Sequence, residues 1–427
     1  MQASQAQELV CRPLKEKLQE VRSTTLELTK PFSAEDQMLQ SMPDASPAKW
    51  HLAHTTWFFE TFVLSDHVRG YKPFNPRYKQ LFNSYYKQVG LHPYRGSRGL
   101  MSRPSLNEVH AYRAWVDNAM ERHFDQLTEG GAASLIELGV HHEQQHQELI
   151  LTDIKHALWS MPLRPEGAGR DLPQTPTRGL RPGSGFRDPS RWIGMDGGIY
   201  PIGHSGEGFS FDNEGPCHEV LLESFLIASR PVTSGEYLDF LRDDGYRRPE
   251  LWLSDGWDTV CAQGWNAPLY WEQHDGTWFE FTFEGLRELD PAASVCHISY
   301  FEADAFARWS GARLPREEEW EIAARAAGLE HSGAFLENRT FHPMPAPSEN
   351  PQWFGNVWEW TASPYVAYPG FAPAAGVIGE YNGKFMCNQF VLRGGSCATP
   401  RSHIRATYRN FFPPQARWQF MGIRLAK

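Results

Sequence analysis

The stretch "ELGVHHEQQHQELILTDIKHAL" holds His141, His142 and His146, followed by Glu148. On a helix, residues four apart share a face, so His142 and His146 project together. His141 is turned about 100° away, and Glu148, two positions past His146, points elsewhere. A histidine pair at i, i+4 offers two imidazoles to one metal ion; the same spacing also occurs on an ordinary polar helix face. A third donor must come from another segment, and "KWHLAHTTWFFE" offers His51 and His54. A histidine in so aromatic a segment is either a ligand or a core group bonded to a carbonyl, because an unpartnered imidazole is costly to bury. Three imidazoles leave positions open on the metal, which suits catalysis by zinc or by iron.

The elements that must carry these groups are helical. "AQELVCRPLKEKLQEVRSTTLELT", "SPAKWHLAHTTWFFETFVLSDH", "SLNEVHAYRAWVDNAMERHFDQL" and "SLIELGVHHEQQHQELILTDIKHALW" each place apolar residues near a 3.6 period. Four such segments predict a four-helix bundle over residues 1–160. The insert "RGYKPFNPRYKQLFNSYYKQVGLHPYRGSRGLMSRP" is too long for a turn, and long loops in compact domains often carry function. Residues 161–190, rich in Pro, Gly and Arg, read as a linker. Residues 191–427 read as short strands with frequent turns and two helices, "SGEYLDFLRDD" and "SYFEADAFARWSG". The fold class expected is α+β.

Composition narrows the partners. The 427 residues are 41% hydrophobic and 22% charged with a net charge of −10, and no basic run invites nucleic acid or an anionic membrane. No apolar stretch approaches the ~20 residues that span a bilayer. The N-terminus lacks the apolar core of a signal peptide, so a cytoplasmic enzyme is expected. The six cysteines (Cys11, Cys217, Cys261, Cys296, Cys387 and Cys397) form no CxxC pair, which argues against a disulfide scaffold or a cysteine-held zinc. Nothing here sets an oligomeric state.

"SPAKWHLAHTTWFFE" with HxxxHxE resembles the DinB-type domain of the sulfoxide synthases of ergothioneine and ovothiol biosynthesis. "WIGMDGGIYPIG", "DNEGPCHEV", "ASRPVTSGEYLDFL", "ARLPREEEWEIAAR", "FGNVWEW" and "VLRGGSCATPRSHIRATYRNFF" are similar to the formylglycine-generating-enzyme fold, a C-type-lectin-like domain with little regular structure. The resemblance covers nearly the whole chain in the family's order. It implies non-heme Fe(II) on His54, His142 and His146, and an O2-dependent reaction joining a thiol sulfur to the imidazole of a histidine derivative as a sulfoxide.

The resemblance also bears on the substrate. Tyr85 and Tyr86 in "LFNSYYKQVG" match a tyrosine pair of the branch that uses free cysteine, where a phenol donates a proton or hydrogen atom to the reacting oxygen. Phe412 and Ala416 stand where the γ-glutamylcysteine branch has an aspartate and an arginine. Gln145, Asn410 and Phe411 match positions that contact the histidine betaine, and Tyr381 is a further candidate. The aromatic lining suits a trimethylammonium group. Among Arg95, Arg98 and Arg103, Arg103 is the expected partner of the cysteine carboxylate. The expected substrates are hercynine (Nα-trimethylhistidine), cysteine and O2. The alternatives are γ-glutamylcysteine as thiol, or an ovothiol-type synthase using histidine. A zinc thiol transferase leaves the second half unexplained, and a copper oxidase lacks its close C-terminal cysteine pair.

Overall fold

A computed structural model describes residues 14–427 apart from 88, 165–190, 207, 329–332, 346–350, 375–378, 380 and 381. The linker expected at 161–190 falls almost wholly outside the described residues, as does Tyr381. The chain divides into two compact units, Met1–Pro173 with Gly376–Glu380, and Gln174–Ala375 with Tyr381–Lys427. The first is helical and the second is built of small sheets and helices, giving the α+β class that the patterning predicts.

Four long helices form the first unit: α1 (Leu14–Thr29), α2 (Ala48–Phe58), α3 (Leu106–Glu129) and α4 (Ala133–Ser160). On α1 the buried Leu18, Val21, Arg22, Thr25 and Leu28 make one stripe at three- and four-residue steps, and this stripe lies along α4. α2 is buried over all eleven residues, packed on both α3 and α4. Its continuation, Phe59–Leu64, is π-helical, a departure from the regular helix that the apolar period alone predicts. α3 starts on a reciprocal cap, with Ser105 Oγ accepting from the Glu108 N–H and the Glu108 carboxylate accepting from the Ser105 N–H. α2 and α4 approach closely because residue 139 is glycine: a Cβ there would lie 2.5 Å from Phe59 Cε1. Gly139 stands one turn before His142.

An ionic cluster ties the helices together. Glu143, fully buried, accepts from Arg22 Nη1 at 2.9 Å and from Arg113 Nη2, so one carboxylate links α1, α3 and α4.

The second unit contains β1 (Trp192–Met195) paired with β4 (Phe225–Ala228), and β2 (Gly198–Ile202) paired with β3 (His218–Leu222). A three-stranded sheet runs β5 (Trp271–His274), β6 (Thr277–Thr282), β7 (Gly285–Glu288). A four-stranded sheet has the order β10 (Asn410–Phe412), β9 (Phe390–Arg393), β8 (Trp358–Pro364), β11 (Met421–Ile423), with β8 and β11 parallel. Among the described residues the α-helices are α5 (Ser234–Arg242), α6 (Ser254–Gln263), α7 (Tyr300–Trp309) and α8 (Glu317–Ala327), two more than the sequence predicts. α8 opens on three consecutive glutamates, of which Glu317 and Glu319 are buried.

Motif charges in this unit are paired inside the fold. Glu317 takes two bonds at 2.9 Å from Arg409 and one at 2.7 Å from Arg393. Glu359 takes Arg424 Nε at 2.6 Å and Nη2 at 2.7 Å. Such planar, two-point pairs satisfy both partners where water is absent. The Arg409 pair also holds the residue that precedes β10, and with it the strand carrying Asn410, Phe411 and Phe412.

Candidate metal centre

The ligand nitrogens of His54, His142 and His146 lie within 4.8 Å of one another, and all three residues are buried. His142 and His146 come from adjacent turns of α4, as the i, i+4 rule requires; His54 comes from α2. His146 Nε2 and His142 Nε2 face each other at 3.1 Å. His54 donates its Nδ1–H to the Phe82 carbonyl at 2.6 Å, which leaves Nε2 as its lone-pair nitrogen. His54 is therefore both of the things its segment suggested, a carbonyl-bonded core histidine and a member of the cluster.

The charge state favours a cation. Burial pushes His142 down to about 3, and it pushes His54 and His146 well below the ordinary histidine value, with neighbouring His142 adding to the effect on both. Neutral imidazole is the form that binds metal. Two facing Nε2 lone pairs at 3.1 Å repel unless a proton or a positive ion sits against them. Burial disfavours the proton, so the donor set fits a metal ion.

Aromatic rings hold the ligands in place. His54 is stacked between Trp50, 4.5 Å away and 13° from parallel, and Trp57, at 5.3 Å and 16°. His142 packs on Phe58 at 4.9 Å. These contacts limit ring rotation and keep the surroundings apolar.

Residues 187–350 and 349–427 match the sulfatase-modifying factor enzyme 1-like domain. Over 445 residues the chain is 32% identical to hercynine oxygenase of Mycolicibacterium thermoresistibile, covering 97% of this chain and 94% of that one. It is 31% identical to hercynine oxygenase of Mycobacterium tuberculosis, with 96% and 97% covered. The Schizosaccharomyces pombe ergothioneine biosynthesis protein 1 is 30% identical over 231 residues, 51% of this chain and 28% of its own length. The chain belongs to the hercynine oxygenase family.

In this family member the insert is pinned to α2. Beside the His54–Phe82 bond, Trp57 Nε1–H donates to the Lys79 carbonyl at 2.9 Å. Asn83 then closes a turn: its Oδ1 accepts from the Tyr86 N–H and its Nδ2 donates to the Tyr86 carbonyl. Tyr86 is buried, 5.6 Å from the Trp57 ring that stacks on His54, and Tyr85 stacks on Tyr86 at 4.6 Å. Tyr86 is thus two ring contacts from His54, through Trp57, and Tyr85 three, with Tyr86 the more enclosed.

The arginines separate sharply. Arg103 is exposed and donates to the Ser102 carbonyl. Arg98 is buried, its guanidinium lies 3.4 Å over the Trp50 ring, and its Nη1 donates to Ser46 Oγ. Burial, then repulsion by Arg95, lowers Arg98 to about 9. It still carries its charge at neutral pH, with one ring, Trp50, stacked between it and His54 of the cluster. Its position in a loop hid this, since spacing cannot rank three loop arginines by burial.

Behind the cluster lies a second group that spacing alone did not single out. His51 Nδ1 stands 2.7 Å from His146 Nδ1, and His51 Nε2 is 3.2 Å from Asp153 Oδ2. Asp153 follows His146 by two turns, so a carboxylate on the ligand face of α4 was readable in "HQELILTD". Gln145 is half-buried on α4 between the two ligands, whereas Glu148 is buried.

In the second unit Asn410, Phe411 and Phe412 are half-buried on β10. Phe411 stacks on Tyr365 at 4.0 Å, and Phe412 meets Trp418 edge-on at 5.7 Å. Ala416 is buried.

Proposed function

We propose that the chain is an O2-dependent, non-heme Fe(II) sulfoxide synthase that joins the sulfur of cysteine to the imidazole of hercynine. The observation that carries this reading is the convergence of three neutral, lone-pair-bearing imidazoles in a buried aromatic pocket. Its relatives named hercynine oxygenase span nearly the whole chain and support the substrate. The balance closes: the imidazole C–H and the thiol S–H are lost and a C–S bond forms. One oxygen atom of O2 ends in the sulfoxide and the other in water.

Bound to His54, His142 and His146, iron supplies open positions where the reactants meet, and a charge that deprotonates the thiol. Trp50, Trp57 and Phe58 keep the ligand rings fixed and water out. Tyr85 or Tyr86 delivers a proton or hydrogen atom from its hydroxyl. Arg98 pairs with the cysteine carboxylate; it takes the place of Arg103, because a buried guanidinium binds an anion with less competition from water. Gln145, Asn410, Phe411 and Phe412 contact the substrates, with Tyr381 as a further contact. Phe412 and Ala416 bring no charge for a γ-glutamyl group, which favours free cysteine. A cytoplasmic setting fits this chemistry, and among the described residues no helix is long and apolar enough to cross a membrane.

The test is anaerobic reconstitution with Fe(II), then O2 with cysteine or γ-glutamylcysteine against hercynine or histidine, with products read by mass. Cysteine plus hercynine should give the sulfoxide. Exclusive use of γ-glutamylcysteine or of histidine assigns the chain to one of the other branches, and equal turnover after rigorous iron removal ends the proposal.

A further inference from the structure

A ligand histidine must present one particular nitrogen. The contacts behind His146 form a directed chain from α4 through α2 and back to α4. Asp153 Oδ2 accepts the Ser46 N–H at 2.8 Å, so this oxygen is oriented as an acceptor. It faces His51 Nε2 at 3.2 Å, and the bond between them exists only if that nitrogen carries a hydrogen. A neutral His51 with its hydrogen on Nε2 has a lone pair on Nδ1. That lone pair faces His146 Nδ1 at 2.7 Å, so the hydrogen between the two rings belongs to His146. With its hydrogen on Nδ1, His146 is left with a bare Nε2, the atom facing His142.

We propose that Asp153, acting through His51, is the positioning group that sets the tautomer and ring orientation of His146, and so its capacity to bind the metal. The alternatives fail on the same contacts. A His51 with its hydrogen on Nδ1 puts two acceptors face to face at Asp153. A doubly protonated His51 donates to His146 Nδ1 and forces the His146 hydrogen onto Nε2, which blocks coordination. The chain spends a buried carboxylate and a fourth buried histidine on this arrangement; His54, by contrast, obtains the same tautomer from one backbone carbonyl. Partners of this kind raise ligand basicity and hold the ring, and their loss typically costs about 10–100-fold in metal affinity. The other end of the chain touches the arginine: Ser46, whose N–H anchors Asp153, accepts from Arg98 through its Oγ.

This inference rests on the three-histidine cluster being the metal site, and the test separates the two. Co(II) is titrated into the full-length metal-free protein anaerobically, with affinity and ligand-field absorption read for wild type, His142→Ala, Asp153→Ala, His51→Phe and His51→Gln. Apo thermal stability is measured in parallel. Asp153→Ala removes the acceptor that holds the His51 hydrogen on Nε2, so it should lose about 10–100-fold in Co(II) affinity. His51→Phe should lose a similar factor. His51→Gln, whose carbonyl can accept the His146 Nδ1–H, should recover part of it, and it is the variant to rely on if the other two do not fold. A structural role alone does not produce that rescue. Unchanged Co(II) affinity and spectra in Asp153→Ala and His51→Phe overturn the proposal while leaving the metal site intact. Binding that survives His142→Ala unchanged sinks the metal site itself.

Discussion

Replacing Arg98 with methionine should weaken use of cysteine without comparable harm to a thiol that has no carboxylate. Arg98 lies flat on Trp50, so a methionine retains most of the apolar contact, and the loss is mainly of charge and donors. The guanidinium has five N–H groups, and Nη1 serves Ser46. Burial has removed much of its hydration, as the fall to about 9 reflects, so a carboxylate beside it competes with little water. A hydrogen bond to a charged group contributes about 1.5–3 kcal/mol, which corresponds to about 10- to 150-fold in kcat/KM. The assay is steady-state turnover of the iron-reconstituted enzyme with hercynine and either cysteine or cysteamine. Arg98→Met should lose that factor with cysteine and change little with cysteamine. The stack Arg98–Trp50–His54 could instead transmit a packing defect, which would penalise both thiols alike. Equal losses with the two, or none with cysteine, refute the assignment.

Tyr85→Phe and Tyr86→Phe, made singly, should shift the ratio of sulfoxide to plain oxidised thiol, with the larger shift at the acting tyrosine; product mass spectrometry in which neither ratio nor rate moves removes both from the reaction. Chelation should abolish turnover, Fe(II) should restore it and Zn(II) should not, and His54→Ala, His142→Ala or His146→Ala should each prevent recovery; restoration by zinc would mean a different chemistry. Acid stability should depend on Glu317. Burial alone would raise this carboxyl, but Arg409 and then Arg393 hold it below the ordinary value of 4.5. Its folded pKa is depressed, so its contribution is fully present above about pH 4.5 and is lost as pH falls through the folded value. Glu317→Gln should therefore be less stable at neutral pH, with a flatter dependence of Tm on pH below 4.5; an unchanged slope in calorimetry contradicts this.

Much of the first unit was legible because helical periodicity is local. The apolar steps of α1 and the Ser105–Glu108 cap lie within a few residues of chain. The π-helical stretch after Phe58 was not, since no nearby signal marks it; the folded chain packs it against α3 and α4. In the second unit no helix is predicted at α8, and only the folded partners Arg393 and Arg409 account for the buried glutamate at its start. Arg103 was chosen among the loop arginines, while Arg98 is the one that lies beneath protein.

The i, i+4 geometry of a single helix by itself placed His142 and His146 on one face. Whether those two rings meet a third, and with which nitrogen, depended on contacts between segments remote in sequence. Gly139 lets α2 close on α4, the Phe82 carbonyl sets the His54 tautomer, and His51 bridges His146 to Asp153. Local rules reach about one helical turn; the direction of a lone pair is set by whatever the rest of the fold places against the opposite side of the ring.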